Sequence, residues 1–570
     1  MPRSNVLRVF SLVLVMLAIS FNNPLHLFPL LNYIEELIAA CSVVAGVAWL
    51  MWCHREYRFS LGSALWLALG GLFLASALIQ PATFASGKLA YLLYWFIGAL
   101  ALIVGEQLDW SDWRTADRLA WVLFVCAVFG AVMGGLRHFG LLWSGFDALV
   151  PKVQSDRMIG LIGQSNYFGF LCLMGGLSGA WLYHRRAINT LALAVGMGLC
   201  ICGLLMSGSR SALLGWFCLV VLLWLRGQAR GRYCIVLTCG LLSTLVLMPA
   251  MPGLLQWLAQ FVPEGVLDGR MQAIGQRGID SPARLTEWKI AFDVWKENPW
   301  FGVGIGNYSH AAFTEHVAQG VSSGAGLFTH SHNVFLQLLV ELGVLGGIWC
   351  LAFGAFFCFS AWRALKWEQN LLPISVLLIF AIYSLFEFPL WIMTFLILNL
   401  LLMGSLPGPG VTLRLRLSKL FSAVLGFVLF VMVAVYVPLV ERFYWSFIQY
   451  LVRAPVKIEE YDFMSAMMKD PLMESTGYIV YFANFQVSKK TAIQEREVLE
   501  RFQRYVPYPP LMARLAILQI ATGDVDAGKR TVQDSRVYYG SSGIEAFIYN
   551  SLDEAKAAFP EVDFSVLFQK

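Results

Sequence analysis

The fold class that this sequence predicts is an all-α polytopic membrane protein of about thirteen transmembrane helices, with one long polar loop and a helical carboxy-terminal domain. Three observations predict it. Of the 570 residues, 58% are hydrophobic and 14% charged, with mean hydropathy +0.65. Soluble domains carry about a quarter charged residues, so lipid must be the main solvent of this chain. Apolar runs long enough to cross a hydrocarbon layer of ~30 Å recur about thirteen times. Alternate connections between those runs carry clusters of Arg and Lys, as cytoplasmic loops do.

The first run, residues 6–21, follows Arg3 and Arg8 and ends at Asn22-Asn23-Pro24 rather than at a small-residue cleavage site, so it reads as a retained anchor. Further runs lie near 34–53, 61–80, 89–105, 116–135, 159–183, 187–206, 211–225, 233–250, 333–360, 371–386, 389–405 and 419–440. The basic clusters are Arg55/Arg58, Arg185/Arg186, Arg226/Arg230/Arg232, Arg363/Lys366 and Arg414/Arg416/Lys419. Assigning these to the inside puts the amino terminus in the cytoplasm. The carboxyl terminus and the connections 136–158 and 251–332 then lie outside.

Two domains follow: residues 1–440, a transmembrane domain that includes the loop 251–332, and residues 441–570, a soluble tail. In the tail, Leu511 to Gln519, then Gly523-Asp524, then Ala527 onward have the pattern of a helical hairpin of the tetratricopeptide kind. The formal net charge of +5 is sorted by membrane side, so nucleic acid is not indicated as a partner. All eleven cysteines fall in or beside apolar stretches and read as small buried hydrophobes rather than ligands or disulfides.

Chemistry concentrates in the outer connections. Four of eight histidines, His310, His316, His330 and His332, lie in the long loop. The last two abut a membrane helix on which Asn333, Gln337 and Glu341 share one side, a polar stripe that must face protein or water. A metal site would need a third ligand at a recognisable spacing, and none stands there. In Gly208-Ser209-Arg210-Ser211 an arginine sits between two apolar runs on the expected outer face, where charge placement rules give it no reason to be. Its guanidinium suits phosphate oxygens, although snorkelling to the interface is the plain alternative. Arg284 lies where Ser281-Pro282 would start a helix.

Gly163-Gln164-Ser165-Asn166-Tyr167 offers two amides at the outer end of the sixth run. Tyr383 and Glu387-Phe388-Pro389 place a phenol and a carboxylate beyond the eleventh. Gly302-Val303-Gly304-Ile305-Gly306 imitates a nucleotide loop but has no preceding strand and no Lys-Ser/Thr ending. It reads as a turn after Asn298-Pro299-Trp300.

Taken together, Gly208-Ser209-Arg210-Ser211, Arg284 with Trp288 and Ala291, Asn298-Pro299-x-x-Gly302-x-Gly304, and His332-Asn333-x-x-Leu336-x-x-Leu339-x-Glu341-x-Gly343 resemble the bacterial O-antigen ligase, O-antigen polymerase and O-oligosaccharyltransferase superfamily. Gln164-Ser165-Asn166, Glu387-Phe388-Pro389 and the long tail most resemble its PglL-type protein O-oligosaccharyltransferases. The resemblance implies a bacterial inner-membrane enzyme with a periplasmic active site, an undecaprenyl-diphosphate-linked glycan as donor, and a Ser or Thr hydroxyl of a periplasmic or pilin-like protein as acceptor. No cofactor or metal is implied. In that reading Arg210 and Arg284 bind the donor diphosphate and His332 is the general base, with His330 as the alternative. Gln164, Asn166, Tyr383 and Glu387 shape the substrate site, and the anomeric centre inverts. Ligation to lipopolysaccharide or polymerisation of repeat units would use the same donor. A transporter or flippase would instead gather its polar residues near the bilayer midplane.

Overall fold

The computed structural model describes residues 3–26, 32–80, 83–142, 157–228, 231–260, 282–324, 326–439, 442, 465–484 and 486–568. It is mostly helical, with almost no sheet. Nine of the described helices are long and apolar enough to cross a membrane, which makes the chain an integral membrane protein. They are α1 (Arg3–Phe21), α2 (Tyr33–Cys53), α3 (Leu61–Ile79), α4 (Ala85–Gln107), α5 (Trp113–His138), α7 (Thr190–Ser207), α9 (Arg232–Leu247), α13 (Val334–Ala364) and α16 (Ser418–Val431 and its continuation). The other four expected runs are helical too. Three of them, α8 (Arg210–Leu225), α14 (Leu371–Tyr383) and α15 (Met393–Met403), are short. The fourth, α6 (Ser165–His184), is buried along nearly its whole length. Of the thirteen expected runs, nine are thus described as helices with the length and composition of a span, and the other four are helices that are short or mostly buried.

The chain forms two compact units. One takes Met1–Leu67, Tyr94–Asp280 and Ala352–Glu441, the other Ala68–Leu93, Ser281–Leu351 and Arg442–Lys570.

In the first unit α6 is the central helix. Its small residues allow neighbours close in: a Cβ on Gly175 would collide with Ala127 of α5 and come within 2.9 Å of the Cys200 thiol of α7. Packing through small residues is how helices associate where no water drives them together. Two short strands, β1 (Glu56–Ser60) and β2 (Gly410–Arg414), pair antiparallel with Glu56 opposite Arg414 and Ser60 opposite Gly410. Two of the basic clusters are thereby side by side.

The second unit holds α11 (Pro282–Glu297), α12 (Tyr308–Gln319), the start of α13, and the tail helices α17 (Glu474–Asn484), α18 (Ala492–Gln503), α19 (Pro509–Ala521), α20 (Val525–Tyr539) and α21 (Ser541–Ala558). α19 is the core of the tail, buried without a break from Leu511 to Ile520. α18, α20 and α21 pack around it. Gly523 (φ +95°) turns the chain out of α19, and Asp524 caps α20 by accepting from the Ala527 N–H at 3.1 Å. Arg514, buried in α19, is neutralised by Glu495 of α18 at 2.6 Å. The same apolar core takes in Phe84, from the α3–α4 connection, and Phe313 of α12. Phe84 lies 4.6 Å from Phe502 and under the Arg501 guanidinium.

Candidate active site

The segment Thr329-His330-Ser331-His332-Asn333 enters α13 through a pinned turn. Asn333 caps the helix, its Oδ1 accepting from the N–H groups of Phe335 and Leu336 at 3.0 and 3.1 Å. Gln337, one turn on, accepts from the Ser331 N–H at 2.8 Å. Between these anchors His332 adopts φ +55°, one of two described non-glycine residues on the positive side. Such a conformation costs on the order of 1 kcal/mol and persists because the flanking hydrogen bonds dictate it.

The His332 ring stands edge-on to Phe328 at 5.4 Å, and its Nδ1 lies 3.0 Å from the His330 carbonyl. A carbonyl accepts only, so Nδ1 carries the proton and Nε2 is the basic nitrogen of the neutral ring. Burial and the positive charge of Arg284 push the His332 pKa down to about 4. Burial, with His332 beside it, pushes His330 down to about 3. His330 Nδ1 pairs with the Thr329 hydroxyl at 2.9 Å. Arg284, half-buried in the first turn of α11, is thus near enough for its charge to act on His332.

Of the other two loop histidines, each is held by structure. His316 Nε2 lies 3.0 Å from Glu287, both fully buried, and Tyr308 donates to the same carboxylate at 2.5 Å. His316 Nδ1 faces the Val321 carbonyl, and His310 Nδ1 lies 2.9 Å from that of Gln503.

The polar stripe on α13 faces protein, not a water cavity. Glu341 accepts from the Gly306 N–H at 3.0 Å and from the Tyr91 hydroxyl at 2.9 Å. At Gly343 (φ +66°, ψ −154°) the helix breaks. Into that break fits the glycine turn after Asn298-Pro299: Val303 and Gly304 donate to the Val340 and Glu341 carbonyls, and Val344 donates to that of Pro299. Gln80 donates to the Phe301 and Gly302 carbonyls from the opposite side. Gly302 and Gly343 are glycines because a Cβ on either would strike backbone, the Val340 carbonyl or the Trp300 carbonyl. The two motifs that spacing alone could list but not connect are therefore one structural joint.

The first unit holds the remaining candidates. α7 ends at Gly208 (φ +61°), and α8 starts at Arg210, which is exposed. Arg157 donates to the Ser207 carbonyl at 2.6 Å and to Asn166 Oδ1 at 2.5 Å. Asn166 in turn donates to the buried Glu387 at 2.6 Å. One chain of hydrogen bonds thus ties the glutamine–asparagine and glutamate–proline motifs to the end of α7, one residue before Gly208. Arg157 was not legible as a site residue, since its partners are 9 and 50 positions away. Gln164 caps α6 by accepting from the Tyr167 N–H at 2.9 Å, and Tyr383 is fully buried with its ring stacked on Phe170 at 4.4 Å.

Residues 195–351 match the family described as O-antigen ligase, and residues 371–547 match one described as virulence factor membrane-bound polymerase, C-terminal. The chain is also 25% identical, over 374 residues, to a probable peptidoglycan glycosyltransferase FtsW of Pseudomonas fluorescens (strain SBW25), across 63% of this chain and 82% of that protein. The first match contains Arg210, Arg284, His330 and His332, the glycine turn and the helix break, and the two family matches together support the O-antigen ligase and polymerase superfamily for this chain.

Proposed function

We propose that this chain moves a preassembled glycan from undecaprenyl diphosphate to a Ser or Thr hydroxyl of a periplasmic or pilin-like protein. The observation that carries the reading is the neutral His332, with Nε2 as its basic nitrogen and the Arg284 charge acting on it. In the reaction the acceptor oxygen attacks the anomeric carbon as the bond to the diphosphate oxygen breaks, and the hydroxyl proton passes to His332 Nε2. The electron pair of the broken bond stays on the diphosphate. Arg284 offsets that charge, and Arg210, at the first position of α8, is assigned the same role by the resemblance. A single displacement inverts the anomeric centre. Positioned general-base help contributes ~10²–10⁴ in rate. Asn166 and Glu387, with Gln164 and Tyr383, are assigned to the walls of the substrate site.

Ligation or polymerisation onto a sugar hydroxyl is the second reading, since it uses the same donor and fits the descriptions of both matched families. One assay separates them. Cells carrying a lipid-linked glycan and candidate acceptors would express the wild type, His332→Ala, Arg284→Ala or Arg210→Ala at equal membrane abundance. Glycan on a pilin-like protein, lost in all three variants, supports the protein transferase. Glycan on lipid A core or in longer polymer moves the acceptor to a sugar, and transfer that survives His332→Ala rejects the proposed base.

A further inference from the structure

α11 has two faces. Glu287, Ile290, Ala291 and Val294 are buried and pack against Tyr308, Ala312 and Val340. Leu285, Lys289, Phe292 and Lys296 recur at three- and four-residue steps on the other face, and all four are exposed. The chain leaves α11 into Trp300 and Phe301, two adjacent large aromatics that are 71% and 63% exposed, while Leu285 at the start of the helix is 65% exposed. Exposed aromatic and aliphatic side chains lined up over this length mark a surface meant to be covered.

The depth of that surface follows from α13. Its part after the Gly343 break, Val344–Ala364, is about 21 residues and so about 31 Å long, enough to cross the hydrocarbon layer unaided. Leu345, Ile348 and Leu351 stand exposed along it, as lipid-facing side chains do. With Arg363 in the last turn at one surface, a part of this length puts the break at the other. Pro299 and Trp300 are docked on the break, the first accepting from the Val344 N–H at 2.8 Å, so Trp300 and Phe301 lie at the level where aromatic residues form interfacial belts.

We propose that α11 and the Trp300-Phe301 step form an interfacial element seated in the lipid monolayer, with Leu285, Phe292, Trp300 and Phe301 inserted among the acyl chains. The lysines fit that seat as snorkelling side chains: Lys296 Nζ lies over the Phe292 ring at 4.8 Å, and Lys289 and Lys296 pair with Asp293 at 3.1 and 2.9 Å. With that carboxylate between them the face carries little net charge, so apolar insertion rather than anionic headgroup binding holds it. The seat does not depend on which glycan or acceptor the enzyme uses.

The test places the photo-crosslinker p-benzoylphenylalanine singly at positions 292, 300, 348 and 549 in the full chain, reconstituted in phosphatidylcholine nanodiscs. Position 348 lies on the bilayer-crossing part of α13 and reports lipid contact. Position 549, an exposed tail tyrosine, reports its absence. Phospholipid adducts at 292 and 300 as abundant as at 348, and at least tenfold above 549, are expected. Adducts at 348 alone, at 300 without 292, or peptide adducts in place of lipid at 292, would each overturn the proposal.

Discussion

His332 is where the chain's chemistry is most exposed to pH. Its folded-state pKa lies near 4 and that of His330 near 3, against about 6.5 for free imidazole. Between those values the unfolded chain binds protons that the folded chain does not. The stability these rings contribute is therefore complete above pH 6.5 and falls as pH drops toward 4. In the proposed mechanism activity follows the same groups. The acid limb of kcat/KM is expected near pH 4, because the free enzyme's base is already neutral well below 6.5. In kcat the limb is expected at higher pH, since a bound diphosphate opposes the Arg284 charge that depresses His332. An acid limb at 6.5 in kcat/KM would sink the assignment. Arg157→Gln removes donors to the Ser207 carbonyl and to Asn166, and is expected to cost about 1–3 kcal/mol of stability, read as a lowered melting temperature of the detergent-purified protein. At this scale the sequence shows residue types and not their partners: the acceptance by Gln164 of the Tyr167 N–H, and the two bonds by which Arg157 joins Asn166 to the end of α7, have no local signal.

α13 shows what a helix-length pattern conceals. The apolar run from 333 to 360 reads as one span, yet Gly343 divides it, its positive φ opening the ladder so that the Val340 and Glu341 carbonyls accept from the incoming turn. Gly343→Ala would put a methyl group against the Trp300 carbonyl at a φ that alanine avoids, and is expected to cost more than about 2 kcal/mol and to displace the histidine turn with it. Thermal unfolding followed by tryptophan fluorescence, together with transfer activity at low temperature, checks both parts. Gly347→Ala, on the unbroken part of the helix, should be far milder, since the Cβ would press only on a flexible Leu339 methyl. The glycine turn at 302–306 was legible as a turn. That it docks on Glu341 was not, because the two are 35 residues apart and only the fold brings them together.

For the molecule as a whole, membrane residence was plain in the composition, and the helical tail was plain in its periodicity. The company that the tail keeps was not. Phe84 and Phe313 look locally like ordinary apolar residues of a connection and a loop helix, but both are buried in the core centred on α19. Removing residues 465–568 would open that core and leave these rings in water. The expected outcome is loss of monodisperse protein in detergent rather than a trimmed, active enzyme, measured by size-exclusion chromatography and membrane abundance. A truncated chain that purifies cleanly and transfers glycan would show that the tail core is dispensable.

The strand pair at Glu56–Ser60 and Gly410–Arg414 sets a schedule for biosynthesis. At 5–20 residues per second, the ribosome takes on the order of 20–70 s to produce the roughly 350 residues that separate the strands. Through that interval the edge of the first strand that will face the second is open to another nascent chain, while on its other edge the Arg58 N–H and carbonyl pair with the Gln107 amide. Arg55 and Arg58 put like charge on every copy of this edge, and charge on an edge strand discourages pairing between copies.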